Sequence, residues 1–335
     1  MTVVPDTLAR DAAAYPPAPS HALPHASVHA SADERRSAAD LDAMRLGATL
    51  YMPAVHPALD AIARGERRTR LRSIVVCLED ALHRDDVARG LERLQRLLAG
   101  LAGERPRAAG PRLFVRPRDR HMARHIAALP GIGHIEGFVV PKITPEEVPR
   151  WWQLVQGTAL RLMPTLESGW VFDPIALAEF AAALDEQPAG RLVALRIGGN
   201  DLLASLWLRR TRGRTLHDGP LAWGLSQLMC QLGARGHALT APVFDVLDDA
   251  DTLARECALD AAFGFVGKTA VHPDQVPVIE AGFRVQASEL ASAREALAPQ
   301  ADAVFQCDGH MLEPAVHAAW AQRTLARAQA YGVID

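Results

Sequence analysis

The chain is poor in lysine. Of its 36 Lys and Arg residues, only Lys142 and Lys268 are lysines. Every other long cation is an arginine, so each lysine marks a place where a compact point charge or an amine is kept. Cysteine is scarce as well. Cys77, Cys230, Cys257 and Cys307 form no CxxC pair, which argues against a zinc knuckle or a dithiol redox motif and fits buried or surface thiols in a reducing compartment. No uninterrupted apolar run nears the ~18 residues of a membrane span. No apolar h-region lies near the N-terminus, so export is not expected and a cytoplasmic location is. The net charge of −3 implies no general affinity for nucleic acid or anionic membrane. No GxGxxG follows the first apolar run. GIGHIEG (131–137) has the wrong spacing and precedes a strand, which argues against a nucleotide-binding Rossmann unit.

What is present is the composition of an ordinary globular protein, 49% hydrophobic and 22% charged over 335 residues. Residues 1–40 stand apart as an arm rich in Ala, Pro, His and Ser without apolar periodicity. His21, His25 and His29 recur there every four residues, but Pro24 interrupts any regular helix. From residue 45 short β-type runs alternate with amphipathic stretches: 46–54, 72–80, 112–119, 137–143, 160–168, 192–201, 237–244 and 261–268. Between them, DVARGLERLQRLLAGL puts Val87, Leu91, Leu94 and Leu98 on one helical face. Asp173-Pro174 reads as an N-cap followed by a first-turn proline. Eight strand–helix units predict a (β/α)8 TIM barrel over 41–284, with an open doubly wound sheet as the competitor. Several runs end in polar residues, which a barrel gathers on one face and an open sheet strings along a line. Residues 285–335 read as an appended C-terminal helical segment that caps the barrel or reaches another subunit.

The polar strand ends are the candidate site. Glu167 and Asp201 close the fifth and sixth runs, and two adjacent carboxylates suit a hard divalent cation that keeps waters for an oxygen-rich substrate. The alternative is that they simply cap the following helices. Gly198 and Gly199, before Asn200-Asp201, are expected to let backbone approach a ligand. Arg116, at the end of the third run, suits two-point binding of a carboxylate or a rim ion pair with Glu79. Glu79 and Asp80 sit on the same rim. Lys142 and Lys268, at the ends of the fourth and eighth runs, are readable as Schiff-base nucleophiles or as point charges for substrate. His121 and His125 have a metal-ligand spacing but lack the Glu of HExxH. His272, before Pro273, reads as structural. The four arginines of LRRTRGR (208–214) face either an acidic ligand group or solvent.

In order along the chain, LYMPA, CLEDAL, FVRPR, VPK, LES, GGNDL and GFVGKTAVHPDQ resemble the motifs of the HpcH/HpaI aldolase and citrate lyase family, on the side of the citrate lyase beta-subunit-like proteins. The family spells these roughly L-F-V-P-G, D-L-E-D-A-V, V-R-V-N, L-P-K, an I-E-T-like Glu, G-x-x-D-L and G-x-x-G-K-x-x-I-H-P-x-Q. The resemblance spans about residues 45–284 and implies a Mg2+-dependent barrel that cleaves or forms a C–C bond next to a carboxylate or thioester, through a metal-stabilised enolate. It implies Glu167 and Asp201 as metal ligands, Arg116 as the substrate-carboxylate anchor and Glu79 and Asp80 as the acidic pair supporting it. It also moves the Schiff-base reading into the background.

Relatives that act on coenzyme A thioesters carry a C-terminal G-x-M-I-D-like motif whose Asp enters a neighbouring subunit's site. Here the stretch is DGHMLEP, with Glu313 in place of Asp. Many relatives also carry an Asp near the position of Thr240. Three functions are therefore expected to compete. The first is a homo-oligomeric (trimeric or hexameric) C–C lyase with Arg116, Glu79, Asp80, Lys142 and Glu313 in catalysis and Arg116, Gly199 and Asn200 at the substrate, a keto acid or acyl-CoA. The others are a thioester hydrolase on the same scaffold and a non-catalytic barrel that binds a ligand or partner.

Overall fold

The computed structural model describes residues 39–67, 71–102, 110–188 and 190–335. Most of the N-terminal arm, with its three spaced histidines, lies outside the described residues. Eight parallel strands run in the order β7-β6-β5-β4-β3-β2-β1-β8. They are β1 (Ala48–Pro53), β2 (Ser73–Cys77), β3 (Arg112–Arg116), β4 (Gly137–Val140), β5 (Arg161–Leu166), β6 (Leu195–Ile197), β7 (Leu239–Thr240) and β8 (Lys268–Ala270). A parallel bridge between Ala241 and Lys268 joins β7 to β8 and closes the ring, with Ala241 N donating to Gly267 O at 2.7 Å. The expected barrel is therefore the observed one.

The helices form for the reasons legible in the chain. In the helix Val87–Ala102 the buried residues are Gly90, Leu94, Leu97, Leu98 and Leu101, a stripe at three- and four-residue steps against the sheet. Asp173 caps the helix Pro174–Asp185, its side chain accepting from Ile175 N. The strands are buried on both faces, which explains their continuous apolar runs.

Boundaries shift at three strands. The sixth run ends at Ile197, and Asn200 and Asp201 belong to the first turn of a short helix, Gly199–Ser205. The seventh run contracts to Leu239–Thr240. The eighth run is displaced further: Ala261 and Ala262 end the helix Ala250–Ala262, and β8 begins at Lys268. Lys268 therefore starts its strand and does not end it.

The C-terminal segment packs across the end of the barrel opposite the strand C-termini. Tyr331 donates to Val266 O at 2.6 Å, Arg72 donates to Ala330 O at 2.6 Å and also pairs with Glu280, and β12 (Val333–Ile334) pairs with β9 (Val285–Gln286). The helices Ala287–Ala296 and Pro314–Tyr331 meet through Ala293, Ala296 and Ala321. Between them, β10 (Phe305–Cys307) and β11 (His310–Leu312) form a hairpin. Its turn, Asp308-Gly309, has φ of 48° and 76°, as a two-residue Asp-Gly hairpin turn requires.

Candidate active site

Parallel strands in a closed ring bring their C-terminal ends to one mouth. Arg116, the last residue of β3, is 6% exposed there. Its Nε donates to Glu79 Oε2 at 2.9 Å, and its Nη2 reaches Glu167 Oε1 at 3.0 Å and Oε2 at 3.2 Å. Asp80 lies 3.5 Å from the same nitrogen. Nη1 makes only a long 3.4 Å contact with Thr165 Oγ1, so it keeps N–H capacity for a further acceptor. Burial opposes the charge, yet Glu167 and Glu79 hold Arg116 protonated above the ordinary arginine range.

Lys142 follows β4 in a left-handed backbone conformation, φ 43°, uncommon for a residue with a side chain and characteristic of constrained functional positions. That conformation aims its amide at Glu167 Oε1 (2.7 Å) while Nζ reaches Glu79 Oε1 (2.8 Å) and both oxygens of Asp80 (3.2 Å). Burial disfavours its charge, but Glu79 and Asp80 raise its pKa. A Schiff-base nucleophile must lose that proton, so this environment works against such a role.

The carboxylates divide by environment. Burial pushes Glu79 up, but Arg116, Lys142 and the Asp80 contacts outweigh it and hold Glu79 at about 2. Asp80 is raised, by burial and then by Glu79. Glu167, 5% exposed, is raised to about 7 by burial, against Arg116 and the Lys142 amide, with the charge of Asp201 raising it further. Gly198 makes room for Glu167: a Cβ there would lie 2.3 Å from Glu167 Cβ and 2.7 Å from its Oε2. Gly199 is small for a different reason, since its Cβ would lie 2.6 Å from Pro242 Cβ. Packing inside the protein therefore requires both positions to be small. Asn200 is exposed at the rim and Asp201 is partly buried.

Arg116, Glu79, Asp80, Lys142, Glu167 and Asp201 therefore share one mouth. Lys268 does not. It is fully buried on the outer side of the barrel, its Nζ donating to Glu256 Oε1 at 2.8 Å and Asp260 Oδ2 at 2.7 Å on the helix Ala250–Ala262. The arginine-rich loop splits. Arg210 is buried against Glu256 (2.5 Å) and Asp245 (2.9 Å), and Arg212 pairs with Asp248, while Arg209 and Arg214 are exposed. His121, His125 and His272 are exposed, and among the described residues no group of three or more His, Cys, Asp and Glu could hold a metal ion. Glu313 flanks the helix Pro314–Tyr331, where its amide donates to His317 Nδ1 at 3.0 Å. Two inward residues were absent from the sequence reading: Tyr51 on β1 and Arg196 on β6. A charged residue inside the apolar run LVALRI was the available signal.

Residues 40–333 match the family described as C–C bond lyase of the TIM-barrel fold. Over 148 residues the chain is 32% identical to a (3S)-malyl-CoA thioesterase of Cereibacter sphaeroides, covering 42% of this chain and 50% of that protein. The match thus spans about half the length of the curated relative. The fold is similar to CitE from Mycobacterium tuberculosis in complex with magnesium, acetoacetate and coenzyme A (TM-score 0.61, 22% identity, 85% of this chain and 99% of that one). It is also similar to RipC from Yersinia pestis (TM-score 0.55, 20% identity, 74% and 99% covered). A third similar structure is the citrate lyase beta subunit complexed with oxaloacetate and magnesium from M. tuberculosis (TM-score 0.52, 20% identity, 72% and 99% covered). At these identities the structural likeness concerns the fold alone. Among the described residues no helix is long and apolar enough to cross a membrane.

Proposed function

Because the chain belongs to the C–C bond lyase family of the TIM-barrel fold, we propose that it is a Mg2+-dependent enzyme that breaks or forms a carbon–carbon bond beside a carboxylate or acyl-CoA thioester. The observation that carries this reading is the grouping of Glu167, raised to about 7 with Asp201 among the causes, beside an Arg116 with spare donor capacity. Two near carboxylates and no nitrogen or sulfur ligand form the donor set that suits Mg2+, which takes one or two protein carboxylates and leaves its other positions to water and substrate oxygen. Glu167 and Asp201 would hold the ion. When bound, it would supply positive charge where negative charge develops on substrate oxygen.

The chain's own residues do the rest. Arg116 anchors a substrate carboxylate through its lightly used Nη1. Glu79 braces the Arg116 guanidinium from one side, and Thr165 and Glu167 border it from the other. Lys142 adds a cation at the mouth, half exposed and within reach of an anionic substrate. Asn200, at the start of the helix Gly199–Ser205, faces the rim and serves as a polar substrate contact, with Gly199 holding that helix close to Pro242. Glu313 serves the site of a neighbouring copy in a trimer or hexamer. The exposed apolar residues Val304, Met311 and Val316 around the hairpin favour such burial. Coenzyme A enters as part of the substrate.

Thioester hydrolysis is the second reading, favoured by the 32% identity to (3S)-malyl-CoA thioesterase over half of that protein. The retained carboxylate pair speaks against a non-catalytic barrel. Product analysis after incubation with malyl-CoA and Mg2+ separates these readings. Glyoxylate with acetyl-CoA indicates C–C cleavage, malate with free coenzyme A indicates hydrolysis, and Asp201→Asn is expected to abolish either while the protein stays folded. Full activity in Asp201→Asn would remove the metal assignment.

A further inference from the structure

Arg196 is the largest fully buried side chain, 1% exposed, in the interior of the barrel. Its Nη1 contacts Thr49 Oγ1 at 3.3 Å and the Met163 sulfur at 3.9 Å, and its Nη2 donates to Thr269 Oγ1 at 2.6 Å. These partners are neutral, and among the described residues no carboxylate pairs with it. Its Nε has no hydrogen-bond partner, and neither does the hydroxyl of Thr240, the residue beside it in the β6–β7 register. An uncompensated buried guanidinium is costly, so its retention calls for a use.

The aromatic face it meets is Tyr51, whose ring centroid lies 5.3 Å from the guanidinium carbon, within cation–π range. Tyr51 lies two residues beyond Thr49 on β1 and so points to the same interior face, one step nearer the mouth. Thr165 and Arg196 are register partners, which sets Arg196 one step below Glu167. Burial pushes the Tyr51 phenol above its ordinary value, against the charges of Arg196 and Arg116, which pull it down. Unlike Thr49, Tyr51 is partly exposed, and among the described residues no hydrogen bond holds its hydroxyl. The phenol therefore keeps its proton, and its hydroxyl is an open hydrogen-bond donor beside Arg116 and Glu167.

We propose that Tyr51 is a substrate-contacting residue that donates a hydrogen bond to an oxygen of the bound acid, and that Arg196 is the positioning residue that holds its ring. The proposal rests on the mouth being an acid-binding site.

Oxalate, a planar dianion, is the probe. Its affinity is measured by calorimetry with and without Mg2+ for the wild type, Tyr51→Phe, Arg196→Met and the double variant, alongside the near-ultraviolet difference spectrum on binding. The chain has three tyrosines, so a tyrosine signal lost in Tyr51→Phe is assignable. A hydrogen bond to a charged acceptor predicts about a tenfold to hundredfold weaker affinity in Tyr51→Phe. Arg196→Met is expected to weaken binding in the same direction, and adding it to Tyr51→Phe should cost little more. Arg196→Lys replaces it if the methionine variant fails to fold. Wild-type affinity in Tyr51→Phe overturns the contact, and additive losses in the double variant overturn the positioning role. A wild type that binds Mg2+ but no oxalate overturns the contact and leaves the metal reading standing. Oxalate binding indifferent to Mg2+ overturns the metal reading, while the Tyr51→Phe comparison still decides this proposal.

Discussion

Lys142 and Lys268 each follow a Gly-Phe-Val segment, yet their surroundings are opposite. Around Lys268 every charge is met: Glu256 accepts from Lys268, Arg210 and the Leu216 amide, and Asp260 accepts from Lys268 and His217. The cluster is buried with its charges paired, and it ties the loop after β6 to the outside of the barrel. Around Lys142 the balance is incomplete. The lysine and Asp80 are each about half exposed, Glu167 is pushed up to about 7, and Arg116 keeps donor capacity. Buried charge met by opposite charge builds structure. Charge left partly unmet at an open mouth is where a ligand gains most by binding.

The comparison breaks most visibly through stability. Lys268→Met strands Glu256 and Asp260 without their shared cation, and removing one partner of a buried network costs about 3–5 kcal/mol. Denaturant unfolding should show it, and a loss near zero would contradict the structural role. The next effect is a pH dependence confined to the mouth. Glu167 titrates at about 7 in the fold, above its ordinary 4.5, so the folded state binds the extra proton between those values. Without added metal, stability should therefore fall as pH rises from 4.5 to 7, by up to about 3 kcal/mol. Glu167→Gln should flatten that slope, and an unchanged slope would refute the assignment. Smallest is Lys142→Met. Its half-exposed ion pairs are worth about 0–1 kcal/mol, so its unfolding midpoint should barely move while its affinity for an anionic ligand falls.

Much of this was legible in the chain, because barrel strands buried on both faces write themselves as apolar runs and end in polar residues at the mouth. Glu79, Asp80, Arg116, Lys142 and Glu167 stand where that rule puts them, while Asp201 reaches the same mouth from the first turn of the helix Gly199–Ser205. Lys268 misled for a physical reason. The residues AAF before it belong to the end of a helix, Gly264 turns the chain at φ 91°, and the strand starts only at the lysine. An apolar helix end followed by a short linker looks like a strand when only the run is read. Gly198 and Gly199 were expected to face a ligand, and the packing that also requires them was hidden because Glu167 and Pro242 are remote in sequence. Arg196 and Tyr51 escaped because nothing local says which face of a three- or six-residue strand points inward.

The most direct test is calorimetric titration of Mg2+ with and without oxaloacetate, on the wild type and on Glu167→Gln. Oxaloacetate is expected to bind the wild type only with Mg2+, and Glu167→Gln is expected to lose both ligands. Equal binding by the two proteins, or oxaloacetate binding that ignores the metal, would contradict the assignment of the mouth as a metal-dependent acid site.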